Sequence, residues 1–266
     1  MKALSQRRRH PLAAVALLLL GLLVTGGLYA MANGANQAQA ATTTYTADDV
    51  SEGEKLFVAN CATCHGIEAS GTENGPSLVG VGAASVDFQV GTGRMPMAMQ
   101  GPQAQQKPVQ FDEDQTADLA AYVSSLGAGP AVPDSEYLEP DTADAEASAE
   151  GGELFRVNCA MCHNAAAAGG ALTRGKFAPS LEGVSEKHIY EAMVTGPQNM
   201  PVFNDTNISP EEKQDIITFL KDIESEGSPG GAKLGSLGPV SEGLFIWTAG
   251  LGIIIAFTIW LTARSS

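Results

Sequence analysis

Residues 61–65 read CATCH and residues 159–163 read CAMCH. These two words use all four cysteines of the chain and two of its four histidines. Aligned on them, Gly53, Leu56, Phe57, Asn60, Cys61, Ala62, Cys64 and His65 recur as Gly151, Leu154, Phe155, Asn158, Cys159, Ala160, Cys162 and His163. Further on, Pro76-Ser77-Leu78 with Gly80-Val81 returns as Pro179-Ser180-Leu181 with Gly183-Val184, and a Thr-Gly pair soon followed by Met-Pro occurs at 92–96 and at 195–201. One module is therefore written twice in the same order of landmarks.

Each module closes on a helical pattern. Asp112 is placed to cap a helix with Gln115 at its third position, and DLAAYVSSL runs up to Gly127. In the second module Ser209, Pro210 and Glu212 combine a capping serine, a first-turn proline and a capping-box glutamate ahead of DIITFLKDI. The opening helices, expected over 51–60 and 149–158, set a glycine four residues before a phenylalanine on one face. That pairing lets another backbone come close beside an aromatic ring, and the closing helix is expected to cross there through Tyr122 or Phe219.

Two cysteines three apart followed at once by histidine form the attachment signature of c-type haem. Each thiol adds across one vinyl group of the porphyrin, and the adjacent histidine is held under the iron as an axial ligand. A shared zinc site fits poorly, because the cysteine pairs stand far apart and each histidine abuts a cysteine. A thioredoxin-like dithiol would need one such pair in an alternating βαβ pattern, which is missing here. Plain disulfides would leave the repeated histidine a coincidence. The residues thus predict two covalently bound haem c groups, on Cys61 and Cys64 with His65, and on Cys159 and Cys162 with His163.

A second axial ligand comes from methionine. GRMPMAM offers Met95, Met97 and Met99, and QNMPVF offers Met200. Methionine opposite histidine raises the reduction potential and closes the iron to small molecules, which suits electron transfer rather than oxygen or peroxide chemistry. Met95 and Met200 share a following proline that stiffens the loop, and on that ground they are chosen as the axial pair. Counting from the preceding glycine leaves Met97 open beside Met95. Pro76 and Pro179 are read as resting on the histidine side, where they orient its ring. Arg94 is read as either a propionate partner or a solvated surface cation. His188, without a counterpart in the first module, is read as a surface or haem-edge residue, and His10 as part of the basic start.

Composition agrees. Acidic residues outnumber basic ones 30 to 15, for a net charge of −15, which excludes nucleic acid as a partner because phosphates could not be neutralised. Aromatic residues make up only 6%, few for ordinary packed cores, and a flat apolar cofactor would fill what they leave. Residues 1–10 are a basic start that stays in the cytoplasm, and 11–32 form an apolar segment that serves as an anchor or as a signal with a cleavage site at Ala38-Gln39-Ala40. Residues 241–263 have the length, flanking tryptophans and terminal arginine of a transmembrane helix. Between them lie a linker at 33–46, a first domain at 47–126, an acidic Pro/Gly linker at 127–148, a second domain at 149–225 and a tether at 226–240. Rigid packing across these joints is not expected.

Taken together, the opening Gly/Phe helix, CxxCH, the proline after it, the Met-Pro loop and the capped closing helix resemble class I cytochrome c domains. An all-α fold of two such tandem domains, between an N-terminal apolar segment and a C-terminal membrane helix, resembles the dihaem cytochrome c subunit of the actinobacterial cytochrome bc complex. The resemblance implies an electron-transfer subunit of a quinol:cytochrome c oxidoreductase in the cell membrane, with its haem domains on the extracytoplasmic side and no independent substrate chemistry. It implies cytochrome b and a Rieske iron–sulfur subunit as partners. The first haem would take electrons from the Rieske protein and the second would pass them to a terminal haem-copper oxidase. Two rivals remain: a dihaem cytochrome subunit of a periplasmic dehydrogenase and a membrane-anchored dihaem peroxidase.

Overall fold

The computed structural model describes residues 15–27, 45–226 and 243–264. The chain divides into a unit Met1–Thr43 and a unit Thr44–Ser266. In the first, Val15–Gly27 is an apolar helix. The basic start, the Ala38–Ala40 site and almost all of the 226–240 tether lie outside the described residues.

The first repeat opens with α1 (Ala47–Asn60), in which Thr46 and Asp49 make a reciprocal capping box. A one-turn helix α2 (Ala62–His65) carries the motif, α3 (Ala83–Gly91) follows, and α4 (Glu113–Ser125) closes the repeat. The second repeat has the same order: α5 (Ala145–Asn158), α6 (Ala160–His163), α7 (Glu186–Thr195) and α8 (Pro210–Glu226). It adds a two-stranded ribbon in which Gly170 pairs with Ala178 and Ala171 with Phe177. Both capping arrangements expected for the closing helices are present, Asp112 with Gln115 and Ser209 with Glu212. The opening helices begin a turn earlier than the sequence suggested, because Thr46 and Asp144 supply caps upstream of the apolar pattern.

The crossing of opening and closing helices decides the position of everything else. Asp118 of α4 and Asp215 of α8 run their backbones over Gly53 and Gly151, where a β-carbon would overlap the carbonyl oxygen in each case. Beside each crossing an aromatic pair locks the angle: Phe57 with Tyr122 at 5.2 Å between ring centroids, and Phe155 with Phe219 at 5.6 Å. Phe57, Leu119 and Val123 are buried in one core, Phe155, Ile216 and Ile217 in the other. Burial of each such side chain contributes about 1.5–3 kcal/mol.

The segment 127–148 is not the loose joint expected. Val132 packs on the first core, Tyr137 and Leu138 on the second, and the Tyr137 ring stacks on Tyr190 at 6.2 Å. Gln214 Nε2 donates to the carbonyls of Glu136 and Glu139. Three apolar side chains in an acidic stretch were enough to tie it down, and α3 moreover packs against α7 across the two repeats. The helix Gly243–Ala263 is 21 residues long with a mean hydropathy of 2.2, long and apolar enough to cross a bilayer.

Candidate haem sites

Both motifs occupy the same structural niche. The opening helix ends at the first cysteine, whose N–H donates to the carbonyl of the phenylalanine, Cys61 to Phe57 at 2.7 Å and Cys159 to Phe155 at 2.8 Å. The single turn that follows holds the second cysteine and the histidine. The loop beyond is closed by the same bonds in both copies: Gly71 N–H to His65 O and Gly169 N–H to His163 O, then Leu78 N–H to Ala69 O and Leu181 N–H to Ala167 O. Ala69 and Ala167 take positive φ, 53° and 57°, a conformation costly for a residue with a β-carbon. Both are buried, so only a small side chain fits. The bonds of Leu78 and Leu181 to these two alanines hold the proline loop beside the histidine.

His65 Nδ1 lies 2.8 Å from the carbonyl oxygen of Pro76, and His163 Nδ1 lies 3.0 Å from that of Pro179. In the tautomer that donates this bond, Nε2 carries the lone pair and is left for a metal. The prolines therefore act through their backbone oxygens, as the sequence led one to expect of their position. Burial holds His163 below the usual imidazole range, towards the neutral form that ligates. Apolar surroundings push the Cys61 and Cys159 thiols up to about 11.

In the second repeat the predicted residues meet. Cys159, Cys162, His163 and Met200 all border one cavity of about 840 Å³, walled also by Leu181, Ile189 and Phe203. This is the size of a cofactor pocket, for which about 300–1,000 Å³ is usual. In the first repeat Cys61 and Met95 both pack against the core of Phe57, Leu119 and Tyr122. Met97 is not part of that cluster, and Met99 is 78% exposed. Two thiols, an imidazole whose Nδ1 is held by a proline carbonyl and a thioether on one cavity form a donor set that fits covalent haem c.

Arg94 and His188, for each of which the sequence left two readings, both border the second cavity. Arg94 is half-buried, its guanidinium 4.8 Å above the Phe88 ring, and it borders the cavity of the second repeat rather than standing in solvent. Burial holds it below the usual guanidinium range. His188 is packed edge-on to Phe88 at 6.2 Å, between the two repeats and on the same cavity. Sequence reasoning also missed Phe88, Gln103 and Gln106, which bring the first repeat to the second cavity. No local pattern marks them, since their role arises only where α3 meets α7.

The family described as Cytochrome c matches residues 50–127, and that described as Cytochrome C oxidase, cbb3-type, subunit III matches residues 146–220. A "Cytochrome bc1 complex cytochrome c subunit" of Corynebacterium efficiens is 46% identical over 228 residues, covering 81% of this chain and 77% of its own. The protein of that name from Mycobacterium tuberculosis is 42% identical over 267 residues, covering 98% of this chain and 94% of its own. A "Cytochrome c-553-like" protein of Synechocystis is 38% identical over 82 residues, 29% of this chain and 70% of its own.

Proposed function

Because the chain belongs to the cytochrome bc1 complex cytochrome c subunits, whose cytochrome c domains bind haem c covalently, we propose that it holds two such groups and relays electrons between membrane partners. Cys61 and Cys64 would carry the first group, with His65 and Met95 to hold its iron; Cys159 and Cys162 would carry the second, with His163 and Met200. The group supplies one-electron redox chemistry when bound. The chain's own contribution is positional. The Pro76 and Pro179 carbonyls fix the imidazole planes and leave Nε2 facing the ligand site. The Met95 and Met200 thioethers would close the iron to small molecules. The apolar walls exclude water, which stabilises the less charged state of the site.

The subunit works beside the other members of a bc1 complex. Electrons enter from a Rieske iron–sulfur protein at the first domain and leave from the second to a haem-copper terminal oxidase, with cytochrome b in the same assembly. The domains stand on the extracytoplasmic face, held by the apolar helix Gly243–Ala263. A tethered pair of centres has a high local concentration towards its partners, so a diffusing carrier is not required. The packing of α3 on α7 supports this relay, because Phe88 and Arg94 of the first domain form part of the wall of the second cavity.

The observation that carries the reading is the meeting of Cys159, Cys162, His163 and Met200 on one cavity, with Nδ1 of His163 held by Pro179. Purification of the complex from detergent tests it. Haem extraction assays and intact mass should give two covalent groups per chain, and His163→Ala should give one or a chain that accumulates poorly. A His163→Ala chain with two normally ligated groups would overturn the assignment.

A further inference from the structure

Between the two domains lies a largely buried cluster of ionisable side chains, of which His188 also borders the second cavity. Asp87 comes from α3, and His188 and Glu191 come from one face of α7, three residues apart. One ligand atom from each of the three lies within 4.8 Å of the others. Asp87 is 8% exposed and Glu191 is fully buried. Lys187 Nζ sits 2.8 Å from Asp87 Oδ1 and donates to Oδ2 at 3.1 Å. His188 Nε2 lies 3.6 Å from Asp87 Oδ1 without a hydrogen bond, and neither carboxylate oxygen of Glu191 has a hydrogen-bond partner.

This arrangement leaves a debt of charge and of bonding. Two carboxylates share this buried place with one ammonium and one imidazole, and both oxygens of Glu191 are left there without a hydrogen bond, a costly state for a carboxyl group. Burial, with Asp87 next to it, pushes the Glu191 carboxyl up to about 9. A proton on Glu191 would cancel its charge but would still leave the other carboxyl oxygen without a donor. A divalent cation answers every term at once. It takes the imidazole lone pair, both carboxylates and the surplus charge.

We propose that Asp87, His188 and Glu191 form a divalent-metal site, zinc by its ligand chemistry, that joins the two domains. One imidazole with two carboxylates suits zinc better than calcium or magnesium, which take oxygen alone. Tetrahedral zinc with bonds of about 2.0–2.2 Å sets ligand atoms roughly 3.3–3.6 Å apart, so the widest pair must close by about 1.3 Å to complete the site. Side-chain rotation supplies that. The Lys187 side chain is 39% exposed and can turn outward as the metal takes its place on Asp87. A water fills the fourth position.

The test uses the full chain in detergent, loaded with haem so that His65 and His163 are occupied, stripped with a chelator and dialysed against zinc ion alone. Metal analysis should show one zinc per chain held at micromolar concentration. His188→Gln and Glu191→Gln should each weaken that zinc by more than the roughly 10–100-fold that loss of an outer-shell partner costs. A wild-type far-UV circular dichroism spectrum and retention of both covalent haem groups show that each variant is folded, and His188→Gln stands if Glu191→Gln fails to accumulate. Anomalous scattering at the zinc edge should place the ion between α3 and α7. Zinc bound equally by the wild type and both variants, or not retained by the wild type, would overturn the site and leave Glu191 neutralised by a proton. Neither result bears on the haem assignment.

Discussion

Replacement of Gly151 by alanine separates tertiary packing from helix propensity, because the two act with opposite sign. Inside a helix, alanine is favoured over glycine by about 0.5–1 kcal/mol. In this structure, however, the new β-carbon would fall 1.8 Å from the carbonyl oxygen of Asp215, 2.3 Å from its carbon and 2.8 Å from the nitrogen of Ile216. All three atoms are backbone and cannot turn aside. To reach ordinary contact near 3.4 Å, α5 and α8 must part by more than 1 Å at their crossing. A radial gap of about 0.5–1 Å already forfeits a quarter to a half of each dispersion contact, and the Phe155–Phe219 pair, Ile216 and Ile217 lie in that crossing. Overpacking of this kind costs about 1–3 kcal/mol and occasionally more. We place the net loss at about 2–3 kcal/mol, or roughly 10–20 °C in Tm for a domain of this size. Gly152→Ala is the internal control, because its β-carbon would meet only the side chains of Arg156 and Phe219, at 3.0 Å. Thermal and guanidinium unfolding of the haem-loaded chain measures both. A Gly151→Ala protein as stable as wild type, or no less stable than Gly152→Ala, would refute the close crossing.

Further outcomes follow from the same geometry. Gly53→Ala, whose β-carbon would fall 1.9 Å from Asp118 O, should destabilise the first domain by a similar amount while leaving the second transition in place. Met200→Ala should remove the weak long-wavelength absorption of the iron–thioether bond in one haem, and Met95→Ala in the other, whereas Met97→Ala should leave both bands; loss of a band with Met97 would transfer the ligand to that residue. Asp205→Ala should cost about 1–3 kcal/mol in a denaturant titration, far above the roughly 0.5 kcal/mol usual at the surface. The reason is that Asp205, though 63% exposed, accepts from the Lys213 ammonium at 2.7 Å, and that ammonium belongs to a fully buried side chain with Ile208 O and the Tyr190 ring as its other company.

The parts of this protein that the sequence made legible are those whose physics is local. CxxCH states a covalent attachment within five residues, a capping box announces a helix start within four, and a Gly-to-Phe step on one face announces a close crossing. Repetition of all three in the same order divided the chain into modules before any coordinate. Residues 127–148 misled because a composition rich in proline and acid hides three apolar side chains, Val132, Tyr137 and Leu138, whose burial is worth more than the polar residues around them. His188 and Arg94 were left open between two readings each, because part of what surrounds each comes from the other domain.

From the chain of letters alone came the thiol pairs, their histidines, the methionine loops and the apolar tail. What only folding decided was the meeting of α3 with α7, which brings Asp87 to Glu191 across about a hundred residues and closes water out between them. A carboxylate in sequence is a surface group by default. Its chemistry changes only when the surrounding backbone removes the solvent, and no local pattern records that removal.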